Sequence, residues 1–309
     1  MPTGDANPNS ESESLERRIR ARGPVLDMPF VHSIYKPLLE KQSRVGVVVT
    51  RDVAYGPDPR HRIDVYRPEG ESNALRPLMI FLPGGGFIRG DKADRENVGQ
   101  LFARQGFVVM VANYRLAPAH VWPAGAEDVV STYRWARAHA AEYDVDIERI
   151  FLTGESAGAA HIATATLIRR FHPPEGLNVA GVVLISGVYN PVLEKLAREQ
   201  FGIATPDPRN EAYYGSDFER YQAMSTVALM DSPPLAPLLI TFAELDMVQM
   251  QVQAGELFAR LVTEHGFQPK LQVIPGHNHL TQVYAVNTGD DSLSAPVLDF
   301  LRACCAGSN

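Results

Sequence analysis

Six short apolar runs, with room for a helix between most neighbours, set the strongest limit on how this chain folds. They are 78–82 (LMIFL), 107–111 (FVVMV), 149–153 (RIFLT), 182–185 (VVLI), 238–242 (LLITF) and 271–274 (LQVI). Most lack the polar alternation of a half-exposed strand, so both faces must be covered. The stretches 93–105, 125–140, 157–170, 249–265 and 292–303 carry helical patterning and supply the cover. Apolar strands alternating with helices predict an α/β fold: a mostly parallel central sheet flanked by helices. An antiparallel start is expected from 45–49 and 63–66, which bracket the turn Gly56-Pro57-Asp58-Pro59.

One interval breaks this rhythm. Residues 188–232, rich in Tyr, Pro and charge, are too long for a plain connection. They are read as a small helical cap inserted over the sheet's C-terminal edge. Residues 15–43 are expected to add N-terminal cap helices, cut into short pieces by Pro24, Pro29 and Pro37. Residues 1–14, dominated by Ser, Asn, Pro and Glu, read as a disordered arm. The catalytic domain is then 44–303. With 309 residues, 45% of them hydrophobic, one large core is attainable.

A formal net charge of −7 and the absence of a basic cluster from the body of the chain exclude a nucleic-acid partner. Cys304 and Cys305 are adjacent and have nothing else to pair with, which excludes a disulfide framework and fits a reducing compartment. No apolar leader or 18-residue apolar stretch is visible. No membrane association and a cytoplasmic location are therefore expected.

Gly154-Glu155-Ser156-Ala157-Gly158 follows a predicted strand and opens a predicted helix. That is the setting in which Gly-x-Ser-x-Gly lifts a serine on a strained turn, with glycines where side chains would collide. Pro83-Gly84-Gly85-Gly86-Phe87 follows an earlier strand and can turn backbone N–H groups toward an oxyanion. No Gly-Lys-Ser/Thr follows, so a phosphate loop is a poor reading. A serine nucleophile needs a base, and the base a carboxylate, in the order Ser, acid, His. Asp246, with Glu244 as competitor, follows the strand at 238–242. His279, with His277 as competitor, follows the strand at 271–274.

These motifs in this order resemble the hormone-sensitive-lipase-like carboxylesterases and the neighbouring kynurenine-formamidase-like hydrolases. Asn113-Tyr114-Arg115-Leu116-Ala117-Pro118, Trp122-Pro123-Ala124 and Glu127-Asp128 belong to the same likeness, which covers about residues 60–303. The resemblance implies the α/β-hydrolase fold, Ser156 as nucleophile, Asp246 as the acid and His279 as the base. It implies Gly85, Gly86 and Ala157 as oxyanion-hole amides, and structural roles for Tyr114, Arg115, Pro118, Glu127 and Asp128. Pro83 departs from the family, which usually carries a loop-bracing His there. No cofactor or metal is implied, and a homodimer is the assembly family members often form.

The expected reaction is two-step hydrolysis of a small to medium carboxylic ester through an acyl-enzyme. Phe87, Tyr189, Tyr214 and Leu280 are candidate pocket walls, the tyrosines being equally compatible with a packed cap interior. An amidase or arylformamidase would use the same groups. A non-catalytic binding protein on this fold, or an interaction protein acting through its N-terminal arm, are the readings from other classes.

Overall fold

The computed structural model describes residues 8–70 and 74–307. Two helices come first, α1 (Pro8–Arg22) and α2 (Met28–Glu40), then strands β1 (Val47–Ala54), β2 (Arg62–Pro68) and β3 (Arg76–Leu82). A 3-10 turn over Lys92–Arg95 leads into α3 (Glu96–Arg104), followed by β4 (Val108–Ala112), α4 (Ala124–Ala138), β5 (Val145–Glu155), α5 (Ala157–Leu167) and β6 (Gly181–Ile185). Helices α6 (Pro191–Gln200), α7 (Pro208–Tyr214) and α8 (Thr226–Leu229) precede β7 (Leu238–Leu245). The chain closes with α9 (Val248–His265), β8 (Lys270–Asn278), α10 (Thr281–Tyr284) and α11 (Ser294–Ala306).

The strands form one sheet in the order β1-β2-β4-β3-β5-β6-β7-β8. The β1–β2 and β2–β4 pairs are antiparallel, and the remaining pairs are parallel. Successive strand residues feed opposite faces, as a period of two requires. Leu78, Ile80, Leu82, Leu152 and Leu184 pack under α4, α5 and α9. Met79, Phe81, Phe151, Val183 and Ile185 pack under α3 and α11. Every residue of β4 and β6 is buried, which explains why these runs carry no polar alternation.

Two smaller clusters lie above the C-terminal edge. Tyr213, Tyr214 and Tyr221, from 188–232, pack on Phe87, Ala157 and Ala160. Ile19, Val31, Ile34 and Tyr35 of the N-terminal helices pack on Tyr284 and Ala285. Arg20 holds this layer with a two-pronged bond to Glu244, at 2.9 and 2.8 Å.

The N-terminal reading needs two corrections. Residues 8–14, expected in a disordered arm, belong to α1, while 1–7 lie outside the described residues. Pro8 is tolerated in a first turn, and the Glu, Leu and Arg content that follows favours helix. Pro37 does not end a segment either, since it lies inside α2. That helix is held from outside by its buried Val31, Ile34 and Tyr35, so packing offsets the proline. Among the described residues no helix is long and apolar enough to cross a membrane.

Candidate active site

Strand β5 delivers Ser156 to a turn with φ 50° and ψ −118°. A non-glycine residue held there stores on the order of 1–3 kcal/mol of strain. The flanking glycines make the turn possible. A Cβ on Gly154 would come 2.7 Å from the Gly158 carbonyl carbon, and one on Gly158 would come 2.2 Å from Leu82 O. The turn is pinned by the Ser156 N–H, which donates to Ile185 O at 2.8 Å. Helix α5 starts immediately afterwards, so the Ala157 N–H is among those without an intrahelical acceptor.

His279 follows the end of β8, and its Nε2 lies 3.0 Å from Ser156 Oγ. Its Nδ1 lies 2.8 Å from Asp246 Oδ1. A carboxylate can only accept, so the proton belongs on Nδ1 and Nε2 is left to accept from the serine hydroxyl. Burial opposes protonation of His279. The charge and hydrogen bond of Asp246 outweigh it, with Glu155 adding, and hold the ring's pKa above the ordinary imidazole value. Asp246 is 2% exposed and sits just past β7. Its Oδ1 also accepts from Met247 N at 2.9 Å, and its Oδ2 accepts from the Ser186 hydroxyl at 2.5 Å.

The competing residues point elsewhere. Glu244 is taken by Arg20 and by the Gly276 N–H, which together hold its pKa below the usual carboxylate value. His277 Nε2 faces Asp290 at 3.1 Å, and its Nδ1 faces the Thr281 hydroxyl at 3.2 Å.

The glycine loop reverses direction beside Ser156. Gly85 has φ 152° and Gly86 φ 59°, and a Cβ on Gly85 would lie 1.9 Å from Arg89 O. Among the described residues no acceptor takes the N–H of Gly85 or Gly86, whereas the Gly84 N–H donates to Glu155 Oε1 at 3.0 Å. The brace that Pro83 does not offer through a side chain comes from other groups. The Tyr114 hydroxyl donates to Pro83 O at 2.8 Å, and Arg60 Nη2 donates to Gly90 O at 2.6 Å. Arg115 in turn binds Asp128 through its backbone N–H at 2.7 Å and Glu127 at 2.9 Å. Beneath the loop, buried Arg95 pairs with Glu155 and lies 4.4 Å from the Tyr284 ring centroid.

A cavity of about 120 Å³ opens on Ser156 and His279. Gly84, Gly85 and Gly86 line it, together with Leu26, Met28, Arg209 and Leu280. Leu280 is thus one of its walls. Phe87, Tyr189 and Tyr214 are not. Phe87 is 2% exposed and stacks on Tyr213 at 4.4 Å, with Tyr214 edge-on to it at 5.5 Å. Tyr189 is equally buried, its hydroxyl accepting from Gly187 N at 3.2 Å. Phe87 and Tyr214 pack in the cluster with Tyr213, and Tyr189 packs in the main core, so these rings form interior rather than wall.

Sequence reasoning missed five residues here: Ser186, Gln282, Arg209, Leu26 and Met28. Ser186 lies directly after β6, and Gln282 Nε2 donates to its hydroxyl at 2.7 Å. Position at a strand's C-terminal end was the available signal for Ser186. Arg209 belongs to α7, inside an insertion whose inward face has no readable period. Leu26 and Met28 come from the link between α1 and α2, remote in sequence from every motif.

The sheet order and the Ser–His–Asp array at its C-terminal edge are those of an α/β hydrolase. A family model described as alpha/beta hydrolase fold matches residues 79–283, and the chain belongs to that family. Its motif set is that of the hormone-sensitive-lipase-like carboxylesterases. Esterase LipC of Mycobacterium tuberculosis is 35% identical over 45% of this chain and 37% of its own length. The chain thus spans little more than a third of that curated relative. An acetyl esterase of Salmonella dublin is 28% identical over 74% of this chain and 72% of its own. A crystal structure of esterase B from Lactobacillus rhamnosis, inhibited by a C6–C4 SN3 compound, superposes with a TM-score of 0.73. It is 18% identical and covers 95% of this chain and 97% of that one, a likeness of fold.

Proposed function

We propose that this chain is a serine hydrolase of carboxylic esters, with Ser156 as nucleophile, His279 as base and Asp246 as the carboxylate that orients it. The observation that carries the reading is His279 bridging Ser156 at 3.0 Å and Asp246 at 2.8 Å. Nε2 takes the hydroxyl proton as Ser156 Oγ attacks the ester carbonyl carbon. The oxyanion is held by the N–H groups of Gly85, Gly86 and Ala157. Collapse expels the alcohol, which leaves with the proton from His279, and the acyl group stays on Ser156. Water then gives a proton to His279 and attacks the acyl carbon, releasing the carboxylic acid and free enzyme.

The cavity of about 120 Å³ supports a short acyl group. On this reading residues 188–232 and the helices over 15–43 act as its cap. The test is a p-nitrophenyl ester series from acetate to laurate on wild type, Ser156→Ala, His279→Ala and His277→Ala. Turnover should be highest for the short esters and should vanish in the first two variants alone. Retention of most activity by Ser156→Ala ends the proposal, and a dead His277→Ala with an active His279→Ala reassigns the base. Faster turnover of N-formyl or anilide substrates than of acetate esters moves the activity to amides.

A further inference from the structure

A second cavity, of about 400 Å³, lies beside the first and shares Asp94 and Tyr284 with it. Its volume is in the usual range for a small-molecule site, which the Ser156 cavity alone is not. Nothing in the hydrolytic reading uses it. Its floor is made of amides. Gln100 is 3% exposed and Asn97 6% exposed. Asn287 and Gln42 complete the set.

The hydrogen bonds on that floor are half spent. Arg104 donates to Gln100 Oε1 at 3.4 Å and also to Asn287 Oδ1, which fixes both amides with their NH2 groups left over. Asn97 uses its Nδ2 on Val283 O and Val286 O, at 2.8 and 3.0 Å, and Gln42 uses its Nε2 on Leu38 O at 3.1 Å. Among the described residues, Gln100 Nε2 and Asn287 Nδ2 therefore lack an acceptor, while Asn97 Oδ1 and Gln42 Oε1 lack a donor. Asn97 Oδ1 is shut off from the cavity, so two donors and one acceptor are left over on its surface. A hydroxyl group both donates and accepts, and a ligand with several hydroxyls satisfies such a mixture.

Charge supports a neutral ligand. Lys36 pairs with Glu40 at 3.9 Å and Arg44 with Glu96 at 3.5 Å, so the rim largely balances itself. A phosphate or carboxylate would find no unpaired cation among the lining residues, and Asp94 would repel it. Tyr284 also lines the cavity, with Arg95 over its ring at 4.4 Å.

We infer that this cavity is the alcohol-side subsite and takes a polyhydroxylated leaving group, a sugar or polyol whose short-chain ester is cleaved at Ser156. The inference rests on the ester-hydrolase reading above. Its test compares kcat/KM for a monoacetylated methyl hexoside with kcat/KM for ethyl acetate, as a ratio, in wild type, Gln100→Met and Ala93→Phe. Ala93 lines the cavity and is exposed, so a larger side chain fills the space without entering a core.

Wild type should favour the hexoside ester at least tenfold, and both variants should lower the ratio at least fivefold. A wild-type ratio near one, or a ratio that neither variant moves, overturns the subsite while leaving the hydrolase reading intact. If wild type cleaves neither ester, the hydrolase reading fails and the subsite goes with it.

Discussion

The Ser186 hydroxyl donates to Asp246 Oδ2 at 2.5 Å, on the oxygen that His279 does not use. Its own acceptor capacity is filled by Gln282 Nε2, which also reaches His279 O at 3.2 Å. The carboxylate is thus fixed from both sides before substrate arrives. Without Ser186, Oδ2 keeps only the long contact with Ala243 N at 3.4 Å. Ser186→Ala should lower kcat about tenfold, ~1.4 kcal/mol of barrier, with little change in KM. A less stabilised carboxylate attracts the imidazole proton more strongly, so the acid limb of the pH profile should move upward. Steady-state kinetics across pH check both, and an unchanged profile would leave Ser186 a purely structural residue.

Asp246→Asn should move the same limb the other way. Asp246 is what raises His279 against the opposing effect of burial, so removing its charge lets burial lower the pKa. The turnover loss should be large, up to about 10⁴-fold, because the amide can hold the ring in the wrong tautomer. A stability effect follows with a definite sign. A His with a raised folded pKa adds stability that is complete below its unfolded value near ~6.5 and fades as pH climbs through the raised value. The Tm gap between wild type and Asp246→Asn should therefore be wider at about pH 5 than at about pH 9, which calorimetry at the two pH values measures.

Glu155 and Arg95 separate stability from activity. Both side chains are almost wholly buried and paired, and Glu155 also holds the Gly84 N–H at 3.0 Å. Glu155→Leu strands a buried guanidinium and should cost about 3–5 kcal/mol. Adding Arg95→Met removes the stranded charge, so the double variant should regain most of that stability in denaturant titrations. Turnover should stay low in both, since neither restores the acceptor that anchors the glycine loop. Recovery of activity along with stability would mean that the loop does not depend on Glu155.

The legible parts of this protein were those where one residue has one workable role. Gly154 and Gly158 announce a turn that side chains would block, and the fully apolar runs announce a sheet covered on both faces. The strand ends narrowed the acid to Glu244 or Asp246 and the base to His277 or His279, and only the family resemblance chose between them. Residues 188–232 were legible as an interruption of the strand–helix rhythm but not as a surface. An aromatic-rich segment names residues that must be buried without saying against what, and Phe87 and Tyr214 bury against each other. Leu26 and Arg209 enter the pocket through tertiary packing alone, which no local period encodes.

Ser156 itself is where function and stability conflict most directly. Its φ of 50° lies where glycine is at ease and serine is strained, and its hydroxyl is aimed at His279 at the cost of that strain. Ser156→Gly should abolish ester turnover and raise stability by about 1 kcal/mol, seen as a Tm increase of roughly 2–4 °C. Ser156→Ala keeps the Cβ and hence the strain, so it should be equally inactive with a Tm close to wild type. The pair distinguishes the backbone from the hydroxyl, because both variants lose the same hydrogen bond and only one relaxes the turn. Equal Tm values for the two variants would show that the turn is held without strain, and that the glycines around Ser156 relieve all of the crowding there.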